Sequence, residues 1–203
     1  MQILLTTDIF GETSHVGESA ARLQERGHIV KILSPYAEPR SFVDEDEAYA
    51  FFMRECGVEA YAKKNRDTLR EMVGPLICLG FSAGAAALWK ALACPEAGCA
   101  EMAILFYGGQ IRAATELQPL CETLLVFPTE EPHFSVADLI DRLQGRPDIF
   151  CTKVPWLHGY MNRLSGNFDQ EGSQKTLAWL DELLDQPRRV TGKDAFRQLL
   201  RRG

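Results

Sequence analysis

Short apolar runs alternate along the chain with longer stretches in which apolar residues return every three or four positions. The runs at residues 2–6, 28–33, 76–79, 102–107, 123–127 and 149–154 carry little charge, as strands buried on both faces do. The intervening stretches predict helices near residues 18–26, 46–56, 58–72, 83–93, 136–143 and 174–185, the first of them closed by Gly27. Strands separated by helices predict an α/β fold: a doubly wound, mostly parallel sheet of about six strands with helices on both faces. No repeat or linker interrupts residues 1–186, which read as one domain. Residues 187–203 read as a basic helical tail packed on that domain through Phe196, Leu199 and Leu200. The charged region 36–73 is expected to form part of a pocket wall, and its Tyr49, Phe51, Phe52 and Met53 suit either core or lid.

Composition narrows the function classes. The 203 residues are enough for one substantial core. A net charge of −6 argues against the clustered basic surface that phosphate backbones require, so no nucleic-acid partner is expected. The apolar start at residues 2–6 is too short for a signal peptide or a membrane span and has no basic flank. The expected address is therefore the cytoplasm, with no membrane partner. There the six cysteines read as reduced thiols. Cys94 and Cys99 are not at zinc-ligand spacing and no histidine pair completes a site, so neither metal nor other cofactor is expected. The sequence leaves oligomerisation open.

The most informative stretch is Leu76-Ile77-Cys78-Leu79-Gly80-Phe81-Ser82-Ala83-Gly84-Ala85-Ala86-Ala87. It reads as strand, sharp turn and helix, with Gly-x-Ser-x-Gly at the turn. Such an elbow holds the serine in a strained conformation that pushes Oγ out of the sheet, and its glycines remove side chains that would clash at the crossing. The helix that follows aims free amides and its positive dipole end at developing negative charge. Ser82 is the candidate nucleophile.

On such elbows the chain order is serine, acid, histidine. His158 lies in a loop after the last predicted strand, at the carboxyl end where parallel-sheet sites assemble, and is the candidate base. The acid is expected in the loop after the preceding strand, Pro128-Thr129-Glu130-Glu131-Pro132-His133. Either Glu130 or Glu131 suits the imidazole; Glu131 is taken as the acid and His133 as a rim residue. Two backbone N–H groups are needed for an oxyanion. Ala83 supplies one by following the nucleophile, and Ile9 or Phe10, in the loop after the first strand, the other. Phe10, Phe81 and Tyr160 flank these positions and are the candidate substrate-contacting side chains.

Taken together, these residues resemble the dienelactone hydrolase family of α/β-hydrolases. The resemblance rests on Asp8-Ile9-Phe10-Gly11, the Gly80–Gly84 elbow, Thr129-Glu130-Glu131-Pro132, His158-Gly159-Tyr160 and the closing Thr176-Leu177-Ala178-Trp179-Leu180-Asp181-Glu182 helix. It implies an α/β-hydrolase fold, hydrolysis of lactones or small esters without a metal, and Ile9 as the first-loop oxyanion donor. It also places the first strand at the third strand of the larger fold. The family's acid commonly stands three residues after a glycine ending its strand; Pro128 occupies that position, and the count lands on Glu131. Three features depart from the pattern. Ser82 stands where the founding enzymes carry cysteine, Glu131 where aspartate is usual, and Asn162 where lactone-cleaving members hold the substrate carboxylate with arginine. A general serine esterase acting on small esters or lactones is therefore the expectation. The alternatives are an inactive hydrolase-like domain that binds a ligand or partner, and a thioesterase or acyltransferase using the same residues.

Overall fold

The structure is a computed structural model that describes residues 1–97 and 100–185. Among them six strands form one sheet: β1 (Gln2–Thr6), β2 (Ile29–Leu33), β3 (Leu76–Phe81), β4 (Met102–Phe106), β5 (Glu122–Phe127) and β6 (Ile149–Lys153). All neighbours pair in parallel, in the order β2-β1-β3-β4-β5-β6. The helices are α1 (Ser14–Glu25), α2 (Glu45–Glu55), α3 (Gly57–Glu71), α4 (Ala83–Leu92), α5 (Val136–Leu143) and α6 (Gln170–Asp185). The basic tail expected at 187–203 lies outside the described residues, as does Cys99. Among the described residues no helix is long and apolar enough to cross a membrane.

Alternation along the strands divides the core in two. Leu4, Cys78, Ala103, Leu105 and Leu125 face α3, α4 and α5, where Trp89, Tyr61 and Leu139 are fully buried. Ile3, Ile77, Leu79, Ile104 and Val126 face α1 and α6, where Trp179 and Leu183 are fully buried. The chain leaves β1 outward to β2 and returns to β3 on the other side of β1. The loops after β1 and β3 therefore diverge, and the crevice between them is where open α/β sheets bind ligands.

Two helices begin four residues earlier than their periodicity predicts. Gly17 weakens the helical pattern at the start of α1, yet its N–H bonds Thr13 O at 3.0 Å. At α6 the missed signal is a cap: Asp169 Oδ1 accepts from Gly172 N at 2.7 Å. The region 36–73 divides between core and surface. Phe52 is fully buried, Phe51 packs against Tyr36 and Phe42, and Tyr49 and Met53 are half exposed.

Candidate active site

Ser82 joins β3 to α4 with φ 51° and ψ −115°, a left-handed-side conformation that an L-residue holds only when its surroundings enforce it. Its amide donates to Phe106 O at 3.0 Å, which anchors the turn on β4. A Cβ at Gly84 would fall onto the Thr6 and Thr7 carbonyls, and one at Gly80 would meet the Ala85 backbone. Both glycines are thus required by the closeness of α4 to β1 and β3.

From this elbow, Ser82 Oγ lies 2.9 Å from His158 Nε2, and His158 Nδ1 lies 2.7 Å from Glu131 Oε1. An ionised carboxylate only accepts, so Nδ1 carries the proton and donates to Glu131. Nε2 then accepts from the Ser82 hydroxyl. The Glu131 side chain is 9% exposed and that of His158 26%, so the carboxylate is screened from water while the ring edge reaches the cleft. Three separate loops meet here, each at the carboxyl end of a strand. The His158 loop is held by its backbone conformation and by neighbouring side chains. Gly159 takes φ 80°, Asn167 Nδ2 donates to His158 O at 3.0 Å, and the Tyr107 ring lies 5.1 Å from the imidazole.

Glu131 forms an antiparallel bridge with Phe134, which turns its side chain inward, whereas Glu130 is exposed and bonds nothing in the relay. The cap of α5 is instead Ser135, whose Oγ accepts from Asp138 N at 3.2 Å. His133 is exposed.

The loop after β1 is tied down at several points. Asp8 O accepts from Gly11 N at 3.2 Å, Asp8 Oδ1 from Phe10 N at 2.9 Å, and Ile9 O from the Tyr36 hydroxyl at 2.6 Å. The Phe10 amide is therefore engaged. Ile9 N–H shares a trans peptide with the Asp8 carbonyl and points the opposite way. The amide of Ala83, the first residue of α4, has no intrahelical acceptor.

The cleft over Ser82 is lined by Asp8, Ile9, Phe10, Glu45, Tyr107, His158, Gly159, Asn162 and Ser165. Of the three expected substrate-contacting side chains, the structure brings only Phe10 to it. Phe81 stacks on Phe106 with centroids 5.1 Å apart and lines a neighbouring cavity instead, because its strand position points it to the α1 and α6 face. Tyr160 is fully buried: its hydroxyl bonds Thr176 at 2.9 Å, and its ring lies between Trp156 and Tyr107. It supports the cleft from behind rather than lining it.

Sequence reasoning missed Asp8, Asn162 and Tyr107. The first is a buried carboxylate that accepts from Asn162 Nδ2, tying the loop after β1 to the loop carrying His158. Its place directly after a central strand was the available signal. Burial raises its pKa from 3.8 to about 6, opposed by the hydrogen bonds from Asn162 and the Phe10 amide. An acid with a raised folded pKa holds its proton more tightly when folded. Its contribution to stability is therefore greatest below pH 3.8 and is lost as pH rises through about 6. Asn162 favours the charged form, so Asn162→Ala is expected to move the Asp8 titration further up. Carboxyl ¹³C shifts followed against pH, with Asp8→Ala assigning the signal, test this; a downward move would show that Asn162 is not what holds the charge.

No family model matches the chain. It is 28% identical over 188 residues to the uncharacterized protein YczH of Bacillus subtilis, covering 87% of this chain and 88% of that protein. Among solved structures it resembles a Klebsiella pneumoniae protein assigned as a dienelactone hydrolase, with TM-score 0.69 and 15% identity over 92% of this chain and 86% of the other. The dienelactone hydrolase-like promiscuous phosphotriesterase P91 from metagenomic libraries gives TM-score 0.66 and 16% identity over 91% and 85%. A cold-adapted esterase from an Arctic intertidal metagenomic library gives 0.58 and 15% over 89% and 82%.

Proposed function

On the premise of a dienelactone hydrolase-like α/β-hydrolase fold, we propose that the protein is a serine hydrolase cleaving small carboxylic esters or lactones through an acyl-enzyme. The observation that carries this reading is the continuous relay from Ser82 Oγ through His158 to Glu131, with contacts of 2.9 and 2.7 Å, at the switch point of the sheet.

In the first half-reaction Ser82 Oγ attacks the carbonyl carbon while its proton passes to His158 Nε2. The carbonyl oxygen takes the negative charge, and the Ile9 and Ala83 amides receive it. Removing one oxyanion donor typically costs about 2.7–4 kcal/mol in the transition state. Protonated His158 gives its proton to the departing alkoxide, the C–O bond breaks, and the acyl group remains on Ser82. Water then loses a proton to His158 and attacks the acyl carbon; collapse returns the proton to Ser82 and frees the carboxylic acid. Glu131 keeps the imidazole in the required tautomer and balances its charge when protonated. At the position of the arginine that would hold a substrate carboxylate stands Asn162, already engaged with Asp8. This favours neutral esters over carboxylate-bearing lactones.

A fluorophosphonate probe should label the native protein at Ser82, because only an activated serine reacts, and p-nitrophenyl esters should be turned over. Native protein that takes no label and hydrolyses no ester would leave the fold as a binding domain.

A further inference from the structure

The cleft over Ser82 is small, about 10 Å³, and holds little more than the reacting carbonyl. Beside it lies a cavity of about 210 Å³ on the other side of Asp8, Tyr107 and Asn162, three residues that line both spaces. Its walls are one face of α1 (His15, Ser19, Leu23) and one face of α6 (Ser173, Leu177, Leu180). Its floor is Leu5, Leu79 and Phe81, at the carboxyl ends of the two central strands. Met161 also lines it.

The charges around this cavity are already satisfied. Arg22 pairs with Asp181, Arg163 with Glu18 at 2.8 Å, and Asp8 accepts from Asn162 and the Phe10 amide. Burial, with Arg163 nearby, lowers the pKa of His15 and favours its neutral form. A charged ligand would have to displace one of these pairs. Polar groups that bond nothing among the described residues remain on the lining, including the hydroxyl of Tyr107, a residue 1% exposed, and that of Ser173. Tyr107 also sits at φ 40°, a costly conformation for a non-glycine residue, with its ring against His158. A mainly apolar cavity with a few convergent polar groups is the usual make-up of a small-molecule site.

Resting on the serine-hydrolase reading, we propose that this cavity receives the apolar, uncharged acyl chain of the ester that Ser82 attacks. The chain would run past Asp8, Tyr107 and Asn162, and the Tyr107 hydroxyl would donate to the ester end. A methylene takes roughly the 30 Å³ of a water molecule, so the volume suits a medium chain of about seven carbons beyond the carbonyl.

The test is a series of p-nitrophenyl esters from acetate to decanoate. Wild type should gain at least tenfold in kcat/KM from acetate to octanoate. Ser19→Phe, which fills the cavity from a half-buried helix position, should lower the octanoate-to-acetate ratio at least tenfold. Leu177→Ala, which widens it, should move the optimum toward longer chains. A preference for acetate in wild type, or an unchanged ratio in folded Ser19→Phe, overturns the proposal while leaving Ser82 as nucleophile. The neutral dye N-phenyl-1-naphthylamine reads the cavity without any chemistry. Wild type and Ser82→Ala should bind it alike, ethyl octanoate should displace it, and Ser19→Phe should lose it. If no ester is cleaved but the dye behaves in this way, the cavity's ligand class stands and the hydrolase reading falls. A dye that does not bind overturns the cavity assignment.

Discussion

Replacing Ser82 by alanine should reduce ester hydrolysis by about 10⁶ in kcat, the loss seen where a nucleophile and its base act as a unit. The fold should survive, because the side chain removed is small and the turn is held by other groups. The Ser82 amide bonds Phe106 O, and Gly80 and Gly84 keep α4 close to β1 and β3. Alanine inherits the φ of 51°, so a modest loss of stability is tolerable, whereas loss of Oγ removes the atom that forms the acyl-enzyme. Circular dichroism and thermal melting establish the fold; single-turnover assays with p-nitrophenyl esters establish the loss. A folded variant that keeps more than a few per cent of the activity would place the nucleophile elsewhere.

The second large effect is expected at Glu131. Glutamine there preserves shape but loses the charge that balances His158 as it protonates. Its amide also presents either an oxygen or a donor to Nδ1, so the tautomer is no longer enforced. A loss of about 10²–10⁴ in kcat follows by analogy with other triad acids. Glu130→Gln, at an exposed position one residue away, should change kcat less than tenfold. The two variants together separate local charge from relay geometry, since both remove one negative charge from the same loop. The reverse ranking would move the acid to Glu130 and break the 2.7 Å contact's claim to a role.

Those two glutamates mark a limit of sequence reading. Along the chain they are adjacent, equally charged and both followed within two residues by Pro132. A count along a resembling turn favoured Glu131, but only the bridge to Phe134 shows one side chain turned inward and the other to solvent. Tyr160 illustrates the same limit in the opposite direction. Being next to Gly159 and two residues from His158 put it near the cleft on paper, yet its ring belongs to the buried stack with Trp156 and Tyr107.

What the sequence determined by itself is local or periodic. Apolar runs broken by helical patterns specify a parallel sheet covered on both faces, and the strand, turn and small-residue helix around Ser82 specify the elbow. Each needs only neighbouring residues, because backbone geometry and side-chain period are properties of short segments. The tertiary structure alone decided what meets across the chain. Asp8 and Asn162 are 154 residues apart in sequence and share a hydrogen bond. The cavity between α1 and α6 likewise exists only because two helices far apart in the chain pack beside one pair of strands. Pairings of this kind depend on how helices and loops settle over the sheet, a global minimum of packing and desolvation that no local pattern encodes.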